Sequence, residues 1–201
     1  MFDAQLRKII DPPLNRIAPV IVGLGVRGDT LTLFGLIFAS FGFAALSFQQ
    51  YTWALSFIIL SRLMDGLDGP VARHGVSTDF GGYFDIFSDF IFYAGTVFFF
   101  AVGRPEVALA AAFLLFGFFG SGASFLAYAI IATKRGSNHE EQGKKSFFYL
   151  AGITEGGETI ALFVLFCLFP GSFSVFAYLY GFLCLITAVG RTQLAYRDFS
   201  S

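Results

Sequence analysis

The sequence predicts an all-α, polytopic membrane protein: six transmembrane helices preceded by an N-terminal amphipathic helix lying at the membrane interface. Three observations carry this prediction. Apolar residues make up 56% of the 201 and charged residues only 13%, with 29 Phe, whereas a water-soluble domain is about 25% charged. Apolar runs near the roughly 20 residues needed to cross hydrocarbon recur along the whole chain. Turn or polar residues separate most of them.

The N-terminal stretch "MFDAQLRKIIDPPLNRIAP" alternates charged with apolar residues and lacks the uninterrupted apolar core of a signal peptide. Leu6, Ile9, Ile10, Leu14 and Ile17 recur at helical spacing, opposed by Arg7, Lys8 and Arg16. That pattern suits a helix lying on a membrane surface; the bland alternative is a frayed tail. Asp11 before Pro12 marks a helix start, with Asp as the cap and Pro in the first turn.

Six spans follow, at about 30–49, 51–73, 82–103, 106–132, 147–169 and 172–194. Gln49-Gln50, Gly75, Gly103-Arg104-Pro105, "KRGSNHEEQGKK" and Pro170-Gly171 punctuate them. Gly and Ala within several spans suit close helix–helix packing. Residues 1–201 therefore form a single membrane domain. Cys167 and Cys184 both fall in apolar runs and read as small buried hydrophobes.

Loop charge sets the orientation. Arg7, Lys8, Arg16 and Arg27 precede the first span, and Arg73 follows the second. Lys134, Arg135, Lys144 and Lys145 follow the fourth, Arg197 closes the chain, and the other three loops carry only Arg104. Both termini are expected in the cytoplasm, together with the loop between spans two and three. The net charge of −1 gives no electrostatic reason to expect a nucleic-acid partner.

That loop and its flanks hold the unusual chemistry. Asp65 and Asp68 sit at the end of span two, and Asp85 and Asp89 at the start of span three. An ionised Asp at the centre of a span costs about 2.5–3.5 kcal/mol on insertion scales. The cost is smaller beside a wet cavity, but it still calls for a compensating ligand. Spacings of i,i+3 and i,i+4 put each pair on one helix face, with Gly81 one turn before Asp85. Antiparallel neighbours would bring the pairs together, and clustered carboxylates repel unless a cation lies among them. All-oxygen donors favour Mg²⁺ or Mn²⁺ over zinc. Gly69, Ala72, Gly81 and Gly82 are small enough for a substrate to approach the backbone. Arg62, one turn before Asp65, reads as a structural counter-ion. His74 and His139 lie in loops and receive no catalytic role.

The pattern Asp65-x2-Asp68-Gly69-x2-Ala72-Arg73-x7-Gly81-x3-Asp85-x3-Asp89 resembles the signature of the CDP-alcohol phosphotransferases, integral membrane enzymes of phospholipid synthesis. "RGDTLTLFG" (27–35) is similar to the family's Thr-Pro-Asn/Asp-x-Leu-Thr entry to the first span, with Arg27-Gly28 in place of Thr-Pro. The resemblance implies transfer of a phosphatidyl group from CDP-diacylglycerol to a small polar alcohol, with release of CMP. It implies two divalent ions, with Asp65, Asp68, Asp85 and Asp89 as ligands and Asp89 also as general base. Asp29, Thr32, Asp65, Gly69, Ala72, Arg73, Thr78 and Gly81 then face the CDP-lipid; the lesser alternative for Thr32 and Thr78 is that they are simply helix-end residues. Family members are homodimers, and the resemblance to bacterial members implies the inner (plasma) membrane.

The acceptor is less sharply drawn. Members with phosphorylated acceptors place basic residues in regions similar to Lys144, Lys145 and Arg191; the plainer account of these three is cytoplasmic charge bias. Glu155 and Glu158 either hydrogen-bond a polyol or stabilise a nearby Arg or Lys. Their spacing resembles the Glu-x-x-Glu of inositol-using members, without the Arg that follows there. Glycerol 3-phosphate or inositol phosphate fits the cations; serine or another small alcohol fits the glutamates. From a different class, a cation-coupled transporter would also need intramembrane acids, but would place them near mid-membrane and bind no nucleotide.

Overall fold

A computed structural model describes residues 2–135 and 154–200 of the chain, and every regular element among them is helical. The helices are α1 (Phe2–Gly23), α2 (Gly28–Ser47), α3 (Tyr51–His74), α4 (Asp79–Gly103), α5 (Ala108–Lys134), α6 (Gly156–Leu168) and α7 (Phe173–Phe199). Single 3₁₀ turns, Pro105–Val107 and Pro170–Ser172, lead into α5 and α7.

Helix α1 corrects one expectation. It runs unbroken from Phe2 through Asp11, Pro12 and Pro13, so Asp11 does not cap it. Two adjacent prolines remove two backbone donors, and the amide of Asn15 gives the Asp11 carbonyl a side-chain donor at 2.8 Å. Leu14 and Ala18 are buried where α1 meets α3, and Leu14 packs over Gly66. Helix α1 ends at Gly23, and the turn after it passes through Gly25 (φ +79°), where Val26 N–H bonds Ile21 O and Gly25 N–H bonds Val22 O. This left-handed cap suits glycine, which has no Cβ to clash there.

Helices α2, α3 and α4 pack together and position the aspartates. Gly35 brings α2 against the Ser61 carbonyl of α3, where an added Cβ would lie at 3.3 Å. Gln49 turns the chain between α2 and α3 with φ 57° and reaches the Gly103 carbonyl at the end of α4, 2.8 Å away. Arg104 donates to Glu106 at 2.7 Å and to the Pro170 carbonyl at 2.5 Å, joining the turns before α5 and α7.

The main core is aromatic. Phe92, Phe100, Phe163, Phe166 and Phe173 are essentially buried, and Phe100 stacks on Phe173 with ring centroids 4.2 Å apart. The outer surface is apolar too: Leu109 is 76% exposed and Phe119 73%. A water-soluble monomer rarely exposes apolar surface so widely. Four helical stretches, Gly28–Ser47, Asp79–Gly103, Pro105–Lys134 and Pro170–Phe199, are long and apolar enough to cross a membrane.

Four of the six expected spans are thus met by length and composition among the described residues. Helix α3 has sufficient length, 24 residues, but carries Arg62, Asp65, Asp68 and Arg73. The expected span 147–169 lies partly outside the described residues; its described helix, α6, has 13.

Candidate functional site

Asp68 of α3 and Asp85 of α4 line one pocket with Gly28, Asp29 and Thr32 at the start of α2. The two aspartate pairs do not end up equivalent. Oxygens of Asp65, Asp68 and Asp85 lie within 4.8 Å of one another. Asp89 is engaged by Arg62, whose Nη1 donates to its Oδ1 at 2.7 Å. The same Nη1 is 3.3 Å from Asp65 Oδ2.

Asp68 is held most firmly. It is only 8% exposed, and Thr32 Oγ1 donates to its Oδ2 at 2.6 Å. Thr32 stands one turn into α2, 4% exposed, with its hydroxyl also 3.2 Å from the Gly28 carbonyl. A short hydrogen bond to a carboxylate is among the stronger kinds. Here it ties the Asp68 carboxylate on α3 to α2. Three hard oxygen donors within ion-binding reach, one oriented by a neighbour, suit Mg²⁺ or Mn²⁺ in charge and ligand type.

A pocket of about 200 Å³ adjoins the cluster, lined by Gly28, Asp29, Thr32, Asp68, Gly69, Ala72, Arg73, Ser77, Thr78, Gly81, Gly82 and Asp85. Of the residues expected to face the CDP-lipid, only Asp65 is absent from this lining. Thr78 has both readings at once: it caps α4 by accepting from the Gly81 N–H at 2.9 Å, and it lines the pocket. Gly81 leaves room for Asp29, because a Cβ there would stand 2.5 Å from Asp29 Oδ1 and the carboxylate would have to move. Ser77 carried no signal in the sequence. Gly28 did carry one, as the departure from Thr-Pro: a Cβ there would meet the Asp68 carbonyl at 3.0 Å and the Ala72 Cβ at 3.2 Å. Its bare backbone lets α2 approach α3.

Of the expected acceptor residues, Arg191, Glu155 and Glu158 do not line this pocket. Arg191 is buried between α5 and α7, donating to the Ser121 carbonyl at 2.9 Å and to Ser121 Oγ at 3.1 Å. It lines a second cavity of about 250 Å³ with Ser124, Tyr128, Thr192 and Phe199 among the neighbours, none shared with the first pocket. Glu155 precedes α6 and Glu158 lies in its first turn, where negative charge opposes the helix dipole favourably. Lys144 and Lys145 lie outside the described residues.

An all-helical membrane protein with clustered carboxylates beside a glycine-lined pocket defines a membrane-embedded enzyme of group transfer. The chain belongs to the CDP-alcohol phosphatidyltransferase family, whose model matches residues 26–190, and it is a phosphatidyltransferase of phospholipid synthesis. It is 44% identical over 202 residues to inner membrane protein YnjF of Escherichia coli (strain K12), covering 100% of this chain and 98% of that protein. In fold it is similar to the crystal structure of Mycobacterium tuberculosis phosphatidylinositol phosphate synthase (PgsA1) with CDP-DAG bound. The TM-score is 0.69 at 18% identity, over 91% of this chain and 93% of that one. The apo form of that synthase aligns with a TM-score of 0.63 at 18% identity, over 90% of this chain and 95% of that one.

Proposed function

We propose that this enzyme transfers the phosphatidyl group of CDP-diacylglycerol to a hydroxyl of a small polar acceptor, releasing CMP. The observation that carries the proposal is the convergence of Asp65, Asp68 and Asp85 oxygens within 4.8 Å beside a pocket edged by Arg73 and Gly69. The CDP-DAG named with the mycobacterial synthase supports the donor.

Bound Mg²⁺ or Mn²⁺ would supply charge neutralisation of the pyrophosphate and of the departing CMP. Asp65, Asp68 and Asp85 would hold it, with Thr32 orienting Asp68. Arg73 would neutralise phosphate directly, while Gly69 and Ala72 leave room for the nucleotide against the α3 backbone. Asp29, Thr78 and Gly81 would complete the nucleotide wall. The acceptor oxygen forms a new bond to the phosphatidyl phosphorus as the bond to CMP breaks, and its proton passes to Asp89 as general base. Arg62 holds Asp89 by one oxygen, and a carboxylate held through one oxygen can take a proton on the other.

The basic residues Arg191, Lys144 and Lys145 favour an anionic acceptor such as a phosphorylated polyol, glycerol 3-phosphate or inositol phosphate. Glu155 and Glu158 would bind hydroxyls in the serine or small-alcohol alternative. In this reading the 201 residues are one domain: α1 lies at the interface, α3 and the 147–169 segment complete six spans, and both termini are cytoplasmic. The protein sits in a bacterial-type inner membrane as a homodimer. A cation-coupled transporter gains no support from a pocket edged by arginine and glycine.

The test is CMP release from CDP-diacylglycerol by the purified chain, with Mg²⁺ or Mn²⁺ and a panel of acceptors. One acceptor should stimulate release, and Asp68→Asn should abolish it. Absence of release with every acceptor and both ions would refute the proposal.

A further inference from the structure

We propose that Tyr93 is an acceptor-binding residue, whose hydroxyl hydrogen-bonds the acceptor alcohol between Asp89 and the start of α6. The inference rests on the phosphatidyltransferase reading and adds to it a residue from outside the aspartate pattern.

Tyr93 follows Asp89 by four residues on α4, so the two side chains leave the same helix face one turn apart. Aromatic neighbours from two other helices pack its ring. The centroids of Phe118 on α5 and Phe163 on α6 lie 6.3 and 6.2 Å away. With the ring held between them, the hydroxyl is delivered to the first residue of α6, where a Cβ on Gly156 would stand 3.3 Å from it. Glu155 directly precedes that glycine, and Glu158 lies in the same first turn. The hydroxyl therefore stands between the proposed general base and the two glutamates.

This hydroxyl has no protein partner to serve. Tyr180 Oη lies 2.9 Å from Thr159 Oγ1, and the Tyr128 hydroxyl donates to Asp198 Oδ2 at 2.9 Å. Among the described residues nothing makes a comparable bond to Tyr93. Its oxygen is also not one of the sealed polar atoms, so it faces space that a small polar molecule can reach. Tyrosine normally satisfies its hydroxyl when the ring is packed away. Phenylalanine, used 29 times in this chain, would fill the same place without a polar atom to satisfy. A phenol both donates and accepts, which suits an acceptor's hydroxyl better than a phosphate and leaves any anionic group of the acceptor to the basic residues.

Tyr93→Phe keeps the ring and removes only the hydroxyl. Full-length protein in detergent is assayed with Mn²⁺ for CMP release from CDP-diacylglycerol, using glycerol 3-phosphate, inositol phosphate and serine as acceptors. With whichever of these stimulates release, Tyr93→Phe should raise the acceptor KM about three- to tenfold, as loss of one neutral hydrogen bond would. The KM for CDP-diacylglycerol and the half-activating Mn²⁺ concentration should stay within about twofold of wild type. A role in packing alone would move all three together or none of them. An unchanged acceptor KM, or an equal rise in the KM for CDP-diacylglycerol, overturns the inference and leaves the enzyme assignment standing. Absence of CMP release by wild type with every acceptor overturns both readings.

Discussion

Thr32→Val isolates one hydrogen bond. Valine has nearly the shape of threonine, so the substitution opens no cavity; it removes the hydroxyl that donates to Asp68 Oδ2 at 2.6 Å. Thr32 and Asp68 are both buried, which keeps water from taking over the donor's place easily. A hydrogen bond to a charged group contributes about 1.5–3 kcal/mol net. If that energy serves to orient the carboxylate, its loss at about 1.4 kcal/mol per decade weakens ion binding roughly 10- to 100-fold. Loss of a partner hydrogen-bonded to a metal ligand has the same order of effect. The assay is the free Mn²⁺ needed for half-maximal CMP release, checked by direct Mn²⁺ binding. Thr32→Ser keeps the hydroxyl and should stay near wild type. If Thr32→Val activates at the same Mn²⁺ concentration as wild type, Thr32 does not orient Asp68 for an ion, and the reasoning fails.

Gly81→Ala would set a methyl 2.5 Å from Asp29 Oδ1; the carboxylate can swing away, so the fold should survive while KM for CDP-diacylglycerol rises about tenfold or more and Mn²⁺ binding stays unchanged. Gly117→Ala meets backbone instead, at 2.8 Å from the Gly181 carbonyl. Helices α5 and α7 must part, at a cost of about 1–3 kcal/mol, and an unaltered unfolding temperature in detergent would contradict this. Arg135→Ala removes donors to the carbonyls of Asp198 (3.2 Å) and Phe199 (2.8 Å) at the end of α7. Hydrogen exchange should rise in that last turn and nowhere else, since the lost bonds cap only the final carbonyls.

What could be read from the sequence was local. Helical period alone puts Asp65 with Asp68, and Gly81 with Asp85, because those spacings lie within two turns of one element. Thr78 as a helix start follows from its type and from the apolar run after it. The contact of Thr32 with Asp68 spans 36 residues and depends on how α2 settles against α3. Gly28 and Gly35 permit that approach, yet nothing in one chain's residue order states it. Arg62 shows the same limit. Its position one turn before Asp65 suggested a counter-ion, but its shorter bond goes to Asp89 on the next helix. The Asp11 cap failed for the opposite reason: a strong local signal, Asp before Pro, gave way to a continuous helix.

The same geometry explains why so acidic a site can receive an anionic substrate. The pocket takes Gly28, Asp29 and Thr32 from the start of α2 and Thr78, Gly81 and Gly82 from the start of α4. Two helix N-termini therefore meet there, and each carries about half a positive charge from its aligned peptide dipoles and unpaired N–H groups. Helix α3 runs the other way and ends with Arg73 and His74 in its last turn, where a cation offsets its negative pole. In the proposed reaction, backbone donors and Arg73 would meet the pyrophosphate, and Asp65, Asp68 and Asp85 would hold an ion that neutralises it. The three carboxylates can then attract the ion without repelling the substrate, because helix ends and a guanidinium separate the two demands in space. This arrangement requires the tight α3–α4 turn, which is why the aspartates fall on both flanks of that loop and not along a single helix.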